Sequence, residues 1–435
     1  MEIFILVLAI ALQIFLTYKK VSPFLSLLAV ALLTGLALGM KPDALLAAVK
    51  SGVGSTLSEI ALVICLGAIL GKILERSGAA GQIAQTLIRV FGKKNIQWAV
   101  LFTGFLVGIP LFYNTGFIIL VPLIFSIARK AALPLLYIAI PMAAGLSTTH
   151  CFLPPHPGPT FLVGAFHADL GKTLIYGLII ALPVVIIAGP MLGKMLRKWS
   201  VALPPEEVAE NSNPILPGVA ESFVLALLPV GLIAVSVIAH STLPESILRT
   251  VLLFTGDATV ALLLAVAMAV LFLGLRKGRS MKQMMDWLNE GINGVAVVLL
   301  IITAGGVFKQ VLVDSGTGKI IISFANQWNM PPLLFAWLTT ALLRVAIGSA
   351  TLAGITAAGI LSPLLATGNL SPELLVLAVG TGSVFGSHVN DSGFWIFKEF
   401  FNLSLKQTFL SWSVMETSIS VLGLIGVMIL QFFVK

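Results

Sequence analysis

The sequence predicts an all-α polytopic membrane protein, with about ten transmembrane helices, two re-entrant hairpins and two broken helices forming an inverted-topology repeat. Three observations carry this expectation: extreme apolar content, self-similarity between the two halves, and clustered Pro and Gly inside apolar segments.

Of 435 residues, 58% are hydrophobic and 10% charged. The mean hydropathy of +1.05 lies far outside the range of water-soluble domains. Ile3–Thr17, Phe24–Met40, Ile60–Leu74, Leu174–Leu192, Phe223–Ala239 and Val260–Leu275 approach or reach the length that crosses a hydrocarbon core as a helix. The first of these begins with Glu2 instead of a basic region, and no small-residue cleavage site follows, so it reads as a helix and not a signal peptide. Cys65 and Cys151 show no CxxC spacing, which argues against a disulfide framework or a zinc ribbon. The net charge of +8 is spread over short loops and forms no single patch, which excludes nucleic acid as the partner and reports topology instead.

With the amino terminus outside, the loops holding Lys19–Lys20, Arg89–Lys94, Arg129–Lys130, Arg197–Lys198 and Arg276–Lys282 share one face, cytoplasmic by the positive-inside rule. That arrangement requires residues 98–127 and 332–366 to enter and return on one side, as re-entrant hairpins tipped by Gly108–Gly116 and Gly348–Thr351. The halves echo one another at a nearly constant offset: Gly67, Leu74 and Ser77-Gly78 recur as Gly305, Leu312 and Ser315-Gly316, and His150 falls on His388. An odd number of crossings per half gives the repeats opposite orientation, as in many secondary transporters. The expected units are 1–195 and 221–435, joined by a cytoplasmic linker at 196–220 whose Leu203–Pro217 stretch is polar and proline-rich.

In each half a helix breaks at membrane depth. The first runs from Pro141 to His150 and stops at Pro154-Pro-His-Pro-Gly-Pro159; the second runs from Leu374 to His388 and stops at Val389-Asn-Asp-Ser-Gly393. Backbone freed in this way survives only against protein or a water-filled cavity. Two breaks and two hairpin tips therefore converge on one midplane site. Candidate ligands for substrate are Asn114 and Thr115 in one tip, Ser349 and Thr351 in the other, Ser147, Thr149, His150 and His156 at the first break, and His388 and Asn390 at the second. Arg344, one turn before the second tip, offers a planar fork for a carboxylate or an internal ion pair with Asp391. Asp391, Glu416 and Asp257 are candidates for cation coupling, Asp391 the best of them, because a buried carboxylate can exchange a proton near neutral pH. Glu416 could instead bond a neighbour, and Asp257 could cap the helix that begins at Ala258.

His150, Cys151, His156 and His167 match no zinc spacing, so no metal or other cofactor is expected. Neither Gly-x-Ser-x-Gly nor His-Glu-x-x-His occurs, which argues against an intramembrane hydrolase.

At His150-x-Phe-x-Pro-Pro-His-Pro-Gly-Pro159 the sequence resembles the gluconate permease family. Further family-like blocks are Phe91–Trp98, Pro141–Ala144, Phe308–Gly316, Arg344–Thr351 and Gly386–Trp395, so the resemblance runs from about residue 50 to the end. It implies proton-coupled uptake of gluconate or a related small acid by a multi-pass protein of the bacterial inner membrane. Family members also carry other sugar acids and D-serine. Where the family has a glutamate in the first hairpin tip, this chain has Asn114. The partners expected are an organic acid, a coupling cation and membrane lipid, with a homo-oligomer possible in principle. Helix N-termini would supply partial positive charge for the carboxylate, and the core would move against a scaffold; a channel-like anion pore is the competing reading.

Overall fold

Several of the helices begin where a side chain satisfies amides that the first turn leaves free. The computed structural model describes residues 2–199, 201, 216–317, 330–367 and 370–434. These form α1 (Glu2–Tyr18), α2 (Pro23–Ala37), α3 (Pro42–Ser77), α4 (Ala79–Phe91), α5 (Ile96–Gly108), α6 (Tyr113–Ala131), α7 (Leu135–Phe152), α8 (Pro157–Ala165) and α9 (Leu170–Ile186) in the first half. The second half holds α10 (Val219–Thr242), α11 (Ile247–Thr255), α12 (Ala258–Ala269), α13 (Met281–Asp314), α14 (Pro332–Ile347), α15 (Ala350–Leu361), α16 (Pro372–Gly382), α17 (Ser392–Phe400) and α18 (Val414–Leu430). No strand occurs among the described residues. Asp169, Asp257, Ser280, Ser349, Ser371 and Asp391 each accept a backbone N–H at a helix start. Asp257 is thus a cap, one of the two readings its sequence position left open.

Among the described residues six helical segments are long and apolar enough to cross a membrane, and seven if α3, bent by 43° near its middle, counts as one span. The expected number of about ten crossings draws in addition on shorter apolar helices of 10–17 residues, among them α1 and α2. All four arms flanking the two glycine-rich tips, α5, α6, α14 and α15, also belong to this shorter class. The linker expected at 196–220 lies for the most part outside the described residues.

The long helices α3 and α13 lie against each other, α5 packs on α7, and α14 packs on α16. Close approach depends on absent side chains: a Cβ on Gly104 of α5 would sit 2.3 Å from the Met142 carbonyl oxygen, and one on Gly145 of α7 would sit 2.6 Å from the Phe105 nitrogen. With so little space between the backbones, α7 is buried on nearly every side. In chain order α3, α5, α6, α7 and α8 are matched at nearly constant spacing by α13, α14, α15, α16 and α17.

One helix ends earlier than expected. The sequence reading carried the second broken helix to His388, but α16 stops at Gly382 and turns through Ser383–Gly386. Ser383 donates its hydroxyl to the Gly380 carbonyl, and Gly386 takes a φ of +60°, a conformation that favours glycine. The apolar Val384-Phe385 pair hid this stop. The first break lies at the expected place, with Leu153–His156 separating α7 from α8.

Candidate substrate site

The break and tip segments enclose a cavity of about 400 Å³. Its walls come from the N-terminus of α6 (Phe112, Tyr113, Asn114, Thr115), the C-terminal turns of α7 (Ser147, His150, Cys151), Arg344 of α14, the N-terminus of α15 (Ser349, Thr351), the N-terminus of α17 (Asp391, Ser392, Gly393), and Trp412 and Glu416 near the start of α18. Three helix N-termini thus face one space, each adding partial positive charge and free amides. Glu416 follows a π-helical turn, Phe409–Ser413, a local irregularity often found at functional sites.

Arg344 is 2% exposed and pairs with Asp391 at 2.5 Å. The ion pair and the substrate cavity, alternatives in the sequence, coincide in space. Asp391 is held by three groups: one oxygen receives the Arg344 Nη2 and the Ser387 hydroxyl, and the other receives the Gly393 amide at 2.9 Å. Ser387 in turn accepts the Trp412 Nε1–H at 2.7 Å, so the indole is anchored to the ion pair. The Arg344 Nε and Nη1 are buried without a partner among the described residues. Glu416 is also 2% exposed; Ser147 is its polar neighbour, and its Oε1 has no partner.

Five of the twelve buried side-chain polar atoms that lack a partner among the described residues belong to this cavity's lining: Arg344 Nε and Nη1, Tyr113 Oη, His150 Nδ1 and Glu416 Oε1. Buried polar groups are satisfied in the great majority of cases, so such a concentration calls for partners from outside the chain, water or a polar ligand.

Of the residues singled out in the sequence, Asn114, Thr115, Ser147, His150, Arg344, Ser349, Thr351, Asp391 and Glu416 meet around this cavity. Four stand outside its lining. Thr149 turns its hydroxyl back to the Gly145 and Leu146 carbonyls. His156 lies behind the first tip, with Nε2 2.7 Å from the Gly108 carbonyl oxygen and its ring against His150 at 5.1 Å. His388 bonds the Gly386 carbonyl through Nδ1, and Asn390 donates to the Val345 carbonyl at 2.8 Å, bracing the second tip. These four support the site's backbone and do not face its interior. The sequence reading did not place Tyr113, Cys151 or Trp412 at the site, although Tyr113 and Cys151 stand beside Asn114 and His150, which it singled out.

Comparison with known proteins gives concordant results. The GntP family permease model matches residues 1–433. The chain is 49% identical to a high-affinity gluconate transporter of Escherichia coli K12, with 95% of each chain covered. It is 45% identical to the Gnt-II system L-idonate transporter of the same organism over 94% of each chain. A gluconate permease of Bacillus subtilis 168 is 40% identical, over 95% of this chain and 96% of that one. Among solved structures, the YdaH transporter of Alcanivorax borkumensis superposes with a TM-score of 0.69 at 17% identity, covering 94% of this chain and 97% of the other. MtrF of Neisseria gonorrhoeae gives 0.65 at 17% identity, covering 94% and 93%. At that identity the two structures speak to the fold alone.

Proposed function

Since this chain belongs to the GntP family of permeases, a family of transporters and not of enzymes, we propose that it takes up gluconate or a closely related hydroxylated carboxylate together with a proton. It is a multi-pass protein of the bacterial inner membrane. The substrate assignment rests on the gluconate and idonate relatives and on one observation above all: the two unpartnered nitrogens of Arg344 in a polar cavity lined by helix N-termini.

A guanidinium that pairs with Asp391 through Nη2 still carries N–H groups on Nε and Nη1, which lie on its two different edges, and either can donate a charge-assisted hydrogen bond to a substrate carboxylate. The amides at the start of α15 and the side chains of Ser349 and Thr351 lie beside it. Asn114, Thr115, Ser147 and His150 supply donors and acceptors for hydroxyls.

Charge balance favours Glu416 over Asp391 as the proton carrier. Asp391 already accepts hydrogen bonds from a guanidinium, a hydroxyl and an amide. Among the described residues Glu416 has no cation paired with it, and its Oε1 has no hydrogen-bond partner. With Arg344 and Asp391 cancelling, a monoanionic substrate and an ionised Glu416 would place two uncompensated negative charges in the protein interior; a proton on Glu416 removes one of them.

The short arms on either side of each tip support reading 98–127 and 332–366 as re-entrant hairpins. The ordered recurrence of elements supports two inverted repeats. In this arrangement both tips and both breaks reach the midplane from opposite sides, and moving them together against the α3–α13 pair would expose the cavity alternately. Proteoliposomes preloaded with unlabelled gluconate test this function. Labelled gluconate should enter by counterflow, saturably, and accumulate under an inward proton gradient. Non-saturable flux would favour a pore instead, and failure to exchange any sugar acid would remove the substrate assignment.

A further inference from the structure

We propose that Ile118 is the knob of a cytoplasmic gate: the conformation seen here is open to the cytoplasm, and in the opposite one Ile118 seats on Gly67 of α3 as Ile355 now seats on Gly305 of α13. The inference rests on the inverted-repeat reading above and assigns its two gates to named residues.

The outer contact is closed. α15 lies along α13, and its residues from Leu352 to Leu361 are all buried. A Cβ on Gly305 would overlap Ile355 Cγ2, and one on Gly359 would sit 2.9 Å from Phe308 Cδ1, so each helix offers a notch to a side chain of the other. Through this stretch α13 is buried at every residue from Ile302 to Phe308.

The antiparallel α3 and α13 fix the order of depth. Arg76 pairs with Glu290 at 2.6 Å near one end, and Gly52 meets the Val307 backbone toward the other. Because α13 follows the basic loop Arg276–Lys282, the Arg76–Glu290 end is the cytoplasmic one. The substrate cavity touches α13 at Gly294 and Val298, between Glu290 and Gly305, which puts Gly305 on its outer side. Gly67 adjoins the Ala68–Ile69 backbone that meets Gly291, so it lies on the cytoplasmic side. There the contact is loose: the nearest atom to a Cβ on Gly67 is Pro155 Cγ, at 3.6 Å.

The repeat mate of α15 is α6. Counted from Tyr113 and Ala350, the first residues of the two arms, Asn114, Ile118 and Pro122 fall on Thr351, Ile355 and Gly359. Asn114 and Thr351 both line the cavity, and from there the arms differ. Ile355 is 0% exposed and Ile118 is 52% exposed; Pro122 is exposed where Gly359 is buried. Among the described residues α6 has no packing on α3 comparable to that of α15 on α13. One face of α6 therefore runs from the cavity wall at Asn114 to a bare isoleucine one turn on. Gly67, the mate of Gly305, is the notch that this isoleucine fits when the halves rock the other way. Burying Ile118 as Ile355 is released trades equal apolar area, which keeps the two conformations close in free energy.

Cysteine pairs in the full chain test this, with Cys65→Ser and Cys151→Ser and with cross-linking read as loss of free thiols in proteoliposomes. Under copper phenanthroline, Gly67→Cys with Ile118→Cys should cross-link and lose uptake until reductant is added, as should Gly305→Cys with Ile355→Cys. Single alanines supply a second measurement, the labelling of Asn114→Cys by an impermeant maleimide in inside-out vesicles. Gly305→Ala leaves Ile355 no room and should slow this labelling roughly tenfold, the scale of one overpacked contact. Gly67→Ala fits the present conformation and obstructs Ile118, so it should not slow labelling. No cross-link in the Gly67–Ile118 pair, a cross-link that leaves uptake intact, or equal slowing by both alanines overturns the proposal. Neither cross-linking nor labelling requires gluconate, so a chain that exchanges no gluconate would remove the substrate assignment and still report on the gate.

Discussion

Replacing Arg344 by lysine separates the two tasks assigned to this side chain. The guanidinium has one nitrogen on Asp391 and two without a partner. A lysine ammonium, placed in the same buried position, can stay with Asp391 and so avoids the uncompensated buried charge that an alanine would leave, a loss of about 3–5 kcal/mol. What lysine lacks is the further N–H donors of Nε and Nη1. A charge-assisted hydrogen bond from one of them to a carboxylate amounts to about 2–3 kcal/mol, or roughly 30- to 150-fold in apparent affinity. Binding of gluconate to the purified variant, measured by calorimetry and by the half-saturation of uptake after insertion has been verified, reads this directly. An affinity within twofold of the native protein would show that the carboxylate does not sit on Arg344.

Glu416→Gln mimics the protonated carboxyl and should abolish accumulation driven by a pH gradient while counterflow persists; full pH-driven accumulation in this variant would move coupling elsewhere. Asp391→Asn should behave differently, because it strips Arg344 of its partner and the α17 amide of its cap: binding and exchange should both fall, and an Asp391→Asn protein that exchanges normally but no longer accumulates would restore Asp391 as the proton carrier. Gly348→Ala forces a side chain onto a backbone at φ +85°, where its Cβ would lie 2.4 Å from the Asn390 carbonyl oxygen. The left-handed backbone alone costs about 1–2 kcal/mol, so the thermal midpoint in detergent should fall, and a midpoint equal to the native one would contradict the described tip.

How much of this was legible in the sequence depended on the kind of signal. Depth was readable: prolines and glycines at 108–116, 154–159 and 348 mark where helices cannot continue, and the cavity lies among those segments. Facing was not. Ser147, His150 and Cys151 share one side of α7 and line the cavity, while Thr149, between them, points back to its own helix. Because α7 is buried nearly all round, no polar stripe distinguishes its faces. In the irregular stretch after Gly382 there is no period to use, which is why His388 and Asn390 were placed at the site beside Asp391. Tyr113 and Trp412 were passed over because an aromatic residue amid apolar neighbours reads as packing; only the unpartnered hydroxyl of one and the committed N–H of the other distinguish them. The ion pair between Arg344 and Asp391 joins residues 47 positions apart and depends on the tip and the break meeting.

The most direct test is a structure of the protein with gluconate bound. The account predicts density for the carboxylate within hydrogen-bonding distance of Arg344 Nε or Nη1, with Asp391 still paired to Nη2 and the hydroxylated chain lying in the cavity. Gluconate bound with its carboxylate away from Arg344, or in another cavity altogether, would contradict it.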